Sequence, residues 1–86
     1  MYLHLGQNVV VTESSVIGIF DLDNTTGSRI TRGFLSSAEK AGMVINVTGE
    51  LPKSFVVCND GDVMNVYLSQ LSSLTLLKRS AAFLKG

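Results

Sequence analysis

The sequence predicts an α+β domain: a small, largely antiparallel sheet of about five or six short strands, with one central helix and one C-terminal helix. Three observations predict it. Runs of β-branched and aromatic residues, each bounded by turn formers, recur along the chain. The apolar period changes to a helical one in two places. An Asp-Gly dipeptide at Asp60-Gly61 joins two apolar runs, which is the signature of a tight hairpin.

Taken in order, "YLHL", "NVVVT" and "SVIGIFDL" read as three strands, the first two separated by a turn at Gly6. His4 is in phase with Tyr2 and Gly6 and is read as an outward strand residue. Over 28–41 the period becomes helical. Ile30, Phe34, Ala38 and Ala41 fall within roughly 80° of one another at 100° per residue. Gly42 closes that helix as its C′ residue. Arg29, Arg32, Ser36 and Lys40 form a narrow basic stripe on the opposite face.

"MVINV" follows as a short strand, then a turn around "TGELP". The runs "KSFVVCN" and "DVMNVYLS" form the hairpin, with Cys58 read as a small buried hydrophobe and Met43 and Met64 as filler of core or interface. Ser72 or Ser73 caps the last helix. Its apolar residues Leu74, Leu76, Leu77, Ala81, Phe83 and Leu84 cover nearly half the circumference, more than one sheet can bury. Leu74, Leu76, Leu77, Phe83 and Leu84 are therefore the candidate oligomer interface, and Lys78, Arg79 and Lys85 face water. With no linker, repeat or low-complexity stretch, residues 1–86 read as one domain.

A chain of 86 residues buries only about 60% of the surface its unfolded form exposes, which makes a lone domain marginal. Cys58 is the only cysteine and His4 the only histidine, so neither an internal disulfide nor a zinc site supplies the missing stability. A composition that is 45% apolar and 16% charged points instead to a homo-oligomer. The formal net charge is zero, so any attraction for nucleic acid is local. No signal-like or membrane-length segment occurs, and the expected setting is cytoplasmic, without membrane contact.

One stretch invites a catalytic reading. In "IFDLDNTTG", Asp21, Asp23 and Thr25 match the Asp-x-Asp-x-Thr opening of haloacid-dehalogenase-like phosphatases, in which one carboxylate attacks phosphorus and a Mg2+ neutralises the phosphate. That chemistry needs a doubly wound parallel sheet, a lysine and further acidic ligands. Here hairpin signals stand in place of crossover helices, and the later acids Asp60 and Asp62 belong to a turn. No catalytic residue, metal site or cofactor is expected.

"MYLHLG", "VIGIFDLD", "PKSFVV" and "YLSQLSSLTLLKR", in that order, resemble the RemA/RemB family of bacterial extracellular-matrix regulators, from Met1 to about Phe83. The resemblance implies a cytoplasmic, non-enzymatic regulator of biofilm-matrix genes. For the RemA branch it also implies ring-like oligomers whose basic residues hold wrapped double-stranded DNA. The sequence departs from that branch where adjacent arginines follow the glycine matching Gly49: here stand Glu50 and Leu51. Ser15 replaces a further arginine. Arg32 occupies a lysine position, Lys53 is the basic residue nearest the turn, and Arg29 adds a charge of its own. Arg29, Arg32 and Lys53 are thus the candidate DNA contacts. Two function classes follow: a regulatory DNA-binding oligomer, and a structural or partner-binding oligomer that modulates a regulator without touching DNA.

Overall fold

The structure is a computed structural model that describes residues 2–22 and 29–84, with side chains through Ser80. In chain order it contains β1 (Tyr2–Gly6), β2 (Val9–Thr12), a 3-10 turn (Glu13–Ser15), β3 (Val16–Asp21), α1 (Arg29–Lys40), β4 (Val44–Asn46), β5 (Ser54–Asp60), β6 (Val63–Ser69) and α2 (Ser73–Leu84). The expected α+β class and order of elements are present. Asp23, Asn24, Thr25 and Ser28 lie outside the described residues, as do the side chains of Ala81, Phe83 and Leu84 and all of Lys85.

The strands divide into two sheets where the sequence suggested one. β1 and β2 form an antiparallel hairpin of their own, and the remaining strands form a sheet in the order β3-β5-β6-β4. β3 and β6 run antiparallel to β5, while β4 runs parallel to β6. The division has a packing cause. Leu3, Leu5 and Val11, the inward residues of the hairpin, join Val56, Cys58, Val47 and Leu76 in one buried cluster. The hairpin is thus a lid on one face of the larger sheet and does not extend its edge.

β5 is the centre of the molecule. It runs buried from Ser54 to Cys58, as a strand covered on both faces must. Its side chains alternate: Val56 and Cys58 point to the hairpin and α2, and Phe55 and Val57 point to α1, where they meet Ala38 and Val66. The two helices therefore lie on opposite faces of the sheet.

Local chemistry ends each element where the residues require. Gly42 has φ +75°, and bonds from Gly42 N–H to the Glu39 carbonyl (3.0 Å) and from Met43 N–H to the Ala38 carbonyl (2.9 Å) close α1 in a Schellman motif. Ser72 caps α2, its Oγ accepting the Thr75 N–H at 3.2 Å. In the β5–β6 hairpin Asp60 pairs with Val63, so the central residues are Gly61 and Asp62. Gly61 takes φ +68°, the conformation a first central glycine supplies at least cost.

Candidate nucleic-acid interface

One end of the sheet gathers the end of β3, the start of β5 and the ends of β4 and β6. Lys53 is fixed there by its backbone: its N–H donates to the Ser69 carbonyl at 2.8 Å, and its carbonyl accepts the Leu22 N–H at 3.0 Å. The Lys53 side chain is exposed. Past Leu22 the chain leads to α1, whose first turn carries Arg29 and no acid, and whose next exposed cation is Arg32. Arginine at the positive end of a helix dipole concentrates positive potential. Ser36 and Lys40 complete the exposed stripe expected from the sequence. Arg29, Arg32 and Lys53 thus all point their charge to water.

The loop between β4 and β5 is tied down at its base. Val47 N–H donates to the Leu68 carbonyl at 2.9 Å. Asn46 Oδ1 accepts the Thr48 N–H at 3.2 Å, and Thr48 Oγ1 accepts the Glu50 N–H at 2.9 Å. The same hydroxyl donates to Gln70 Oε1 at 2.6 Å. Val47 and Thr48 are buried, so Gly49, Glu50 and Leu51 stand out on a braced stem. Leu51 is 87% exposed. The bracing by Thr48 and Gln70 was not anticipated; its one sequence signal is the Asn-x-Thr-x-Glu spacing, which suits consecutive Asx and ST turns.

The candidate interface leucines separate into two kinds. Leu76 is fully buried within its own subunit, so it is core and faces no neighbour. Leu74 and Leu77 are 68% and 46% exposed. Phe83 and Leu84 fall where side chains are not described. Arg79, expected on the wet side, donates from its guanidinium to the His4 carbonyl at 3.0 Å and so straps α2 to β1.

Of the acids that suggested phosphoryl chemistry, Asp23 lies outside the described residues, and Asp21 is far from the later acid Asp60. Asp21 pairs with Ser54 at one end of β5, and Asp60 lies at the other, about 20 Å away at 3.3 Å per strand residue. The Cys58 thiol lines a cavity of about 240 Å³ between hairpin and sheet, beside Tyr2, Ser15, Asn65 and Tyr67. Burial pushes its pKa up, and a hydrogen bond with Ser15 offsets part of that, so the thiolate is disfavoured. Among the described residues, no helix is long and apolar enough to cross a membrane.

Comparison with known proteins sets this geometry in a family. Residues 2–79 match the family described as RemA-like, extracellular matrix regulatory protein A-like. The chain is also 44% identical over 80 residues to extracellular matrix regulatory protein B of Bacillus subtilis (strain 168), an alignment that covers 93% of this chain and 90% of that protein.

Proposed function

The chain belongs to the RemA-like family of extracellular matrix regulatory proteins, and from that premise we propose that it regulates matrix genes in the cytoplasm as a homo-oligomer that binds double-stranded DNA. The observation that carries the reading is the exposure of Arg29, Arg32 and Lys53 around α1 and the braced loop end of the sheet. One or two phosphate contacts per subunit are weak alone. Repeated over several linked subunits they reach on the order of eight, which gives a salt slope near minus seven and affinity that collapses as salt rises. A neutral chain adds no long-range attraction to this, so binding is local and mostly independent of base sequence.

The reading is non-enzymatic, and the separation of Asp21 from Asp60 along β5 supports it. A second reading keeps the oligomer but replaces DNA with a protein partner; it is favoured by Glu50, which puts a carboxylate on the exposed tip of the loop. A mobility-shift titration on duplex DNA in about 50 mM salt, where such contacts are least screened, separates the two. A shift that vanishes between about 50 and 200 mM salt supports DNA binding. No shift by the intact oligomer transfers the function to the partner-binding reading.

A further inference from the structure

The cavity between the hairpin and the sheet forms because short side chains lie under the hairpin's open end. That end, where Tyr2 pairs with Thr12, stands over the part of β5 and β6 where Cys58 pairs with Asn65 and Asp60 with Val63. Ser15 and Cys58 are buried there and Asn65 is half-buried, and about 240 Å³ between them stays unfilled. Tyr2, Thr12 and Asp60 are exposed and form the rim. The space equals about eight water molecules at about 30 Å³ each. It is smaller than the roughly 300–1,000 Å³ of a pocket for a drug-sized ligand, so a molecule that fits it is small.

The lining selects for positive charge. Asp60 supplies its one carboxylate, and no lysine, arginine or histidine faces it, so an anion finds no partner there. Among the described residues, no group of three or more His, Cys, Asp and Glu could hold a metal ion. The cation that fits is therefore organic. Asn65 brings an amide oxygen, and Ser15 Oγ already donates its proton to the Thr12 carbonyl at 2.7 Å, which leaves that oxygen only lone pairs to offer. Among the described residues, no hydrogen bond or ion pair engages the side chains of Asp60 and Asn65. Three such acceptors match the three N–H donors of an ammonium group, whereas a quaternary ion would leave them unused. Tyr2 and Tyr67 add aromatic rings, whose faces attract a cation, and Val10, Val11 and Val63 supply an apolar wall for a short hydrocarbon tail.

We propose that this cavity binds a small primary alkylammonium ion, its nitrogen held among Asp60, Asn65 and Ser15 and its tail along the three valines. The bound ion touches the end of β2, the 3-10 turn and the β5–β6 hairpin at once. It therefore pins the lid to the sheet and stabilises the folded chain by mass action. The site lies on the face of the sheet opposite α1 and stands independently of DNA binding.

The test uses the full chain and butylammonium as the probe, with 1-butanol as its uncharged counterpart and tetramethylammonium as a cation without N–H donors. Saturation-transfer NMR, read as a titration at low salt, should show saturable binding of butylammonium and at least about tenfold weaker binding of the other two. Asp60→Asn should weaken butylammonium about tenfold, as loss of a charged hydrogen bond does. Asp62→Asn, in the same turn but outside the lining, should leave it unchanged. Circular dichroism checks the fold, and Asn65→Ala replaces Asp60→Asn if that variant unfolds. No saturable binding, or equal binding of 1-butanol, would overturn the site. Equal losses in Asp60→Asn and Asp62→Asn would do the same, by reducing it to diffuse attraction toward the turn. Equal binding of tetramethylammonium would overturn the primary amine. Cross-relaxation between a lysine side chain and the Tyr67 ring, with butylammonium excluded, would assign the cavity to that lysine and overturn a free ligand.

Discussion

Ser54 and Ser69 face each other directly across the β5–β6 ladder, both fully buried, and each sends its hydroxyl to a carbonyl outside the sheet. Ser54 Oγ donates to the Leu71 carbonyl at 2.7 Å, and Ser69 Oγ donates to the Leu5 carbonyl at 2.6 Å while it accepts the Leu71 N–H at 3.0 Å. Ser69 therefore stitches three segments, and Ser54 two. Ser69→Ala should cost about 1–3 kcal/mol, as a lost buried polar partner does, and more than Ser54→Ala. Urea unfolding of the two variants side by side tests the order, and equal midpoints would contradict it.

Leu76 and Leu74 should behave as different kinds of residue. Leu76→Ala removes a fully buried side chain that joins α2 to Leu3, Leu5 and Val56, and should cost about 2–5 kcal/mol of subunit stability. Leu74→Ala, at an exposed site, should change assembly and leave the dilute-chain unfolding midpoint nearly where it was. Chemical denaturation over a range of protein concentrations distinguishes the two effects.

Gly18 makes room for Phe20. A Cβ on Gly18 would stand 2.7 Å from the far edge of the Phe20 ring, which stacks on Phe55 with ring centroids 4.9 Å apart. Gly18→Ala should swing that ring aside and cost about 1 kcal/mol from the lost stacking. Loss of nuclear Overhauser contacts between the two rings reads this directly, and intact contacts would show that the backbone had shifted in their place.

Charge changes on α1 and at the tip of the β4–β5 loop should alter DNA binding in opposite directions. Arg32→Glu reverses an exposed charge in every subunit and should remove the mobility shift, whereas Glu50→Arg should strengthen it and steepen its salt dependence by about one unit for each phosphate gained. Equal affinity for both variants would rule out phosphate contacts at these two positions.

Cys58 should resist thiol reagents in the native state and react at once in denaturant. Because its folded pKa is raised, the thiol contributes stability that is fully present below the ordinary thiol range and is lost as pH climbs from there through the raised folded value. The unaltered chain should therefore lose stability at alkaline pH faster than Cys58→Ala, a difference that cancels the titration of lysines and tyrosines. Parallel pH–denaturation curves for the two would exclude the linkage.

How much was legible beforehand depended on the range of the interaction. The strand at Ser54–Asp60, the turn at Gly61 and the caps at Gly42 and Ser72 are local matters, and period or turn chemistry announced each of them. The hairpin's role as a lid was hidden, because alternation in "YLHL" says that one side is buried and not what buries it. For the same reason Leu76 could not be told from Leu74 and Leu77: a wide apolar arc identifies a busy helix, and only packing against Leu3, Leu5 and Val56 assigns its sides. At the candidate interface the basic residues themselves were visible. The brace from Thr48 to Gln70 joins residues well apart in sequence and had no local mark beyond its turn spacing.

The strap from Arg79 to His4 and the bond from Ser69 to Leu5 give the molecule a birth order problem. During synthesis β1 and β2 leave the ribosome well ahead of the surfaces that hold them, on β6 and α2. A two-stranded hairpin alone in water is at best marginal, and translation at about 5–20 residues per second leaves it seconds of waiting, with Leu3, Leu5 and Val11 unsheltered. Docking of this earlier-made hairpin is then a late act of folding, and a nascent chain stalled before Ser69 is a form prone to be held by a chaperone.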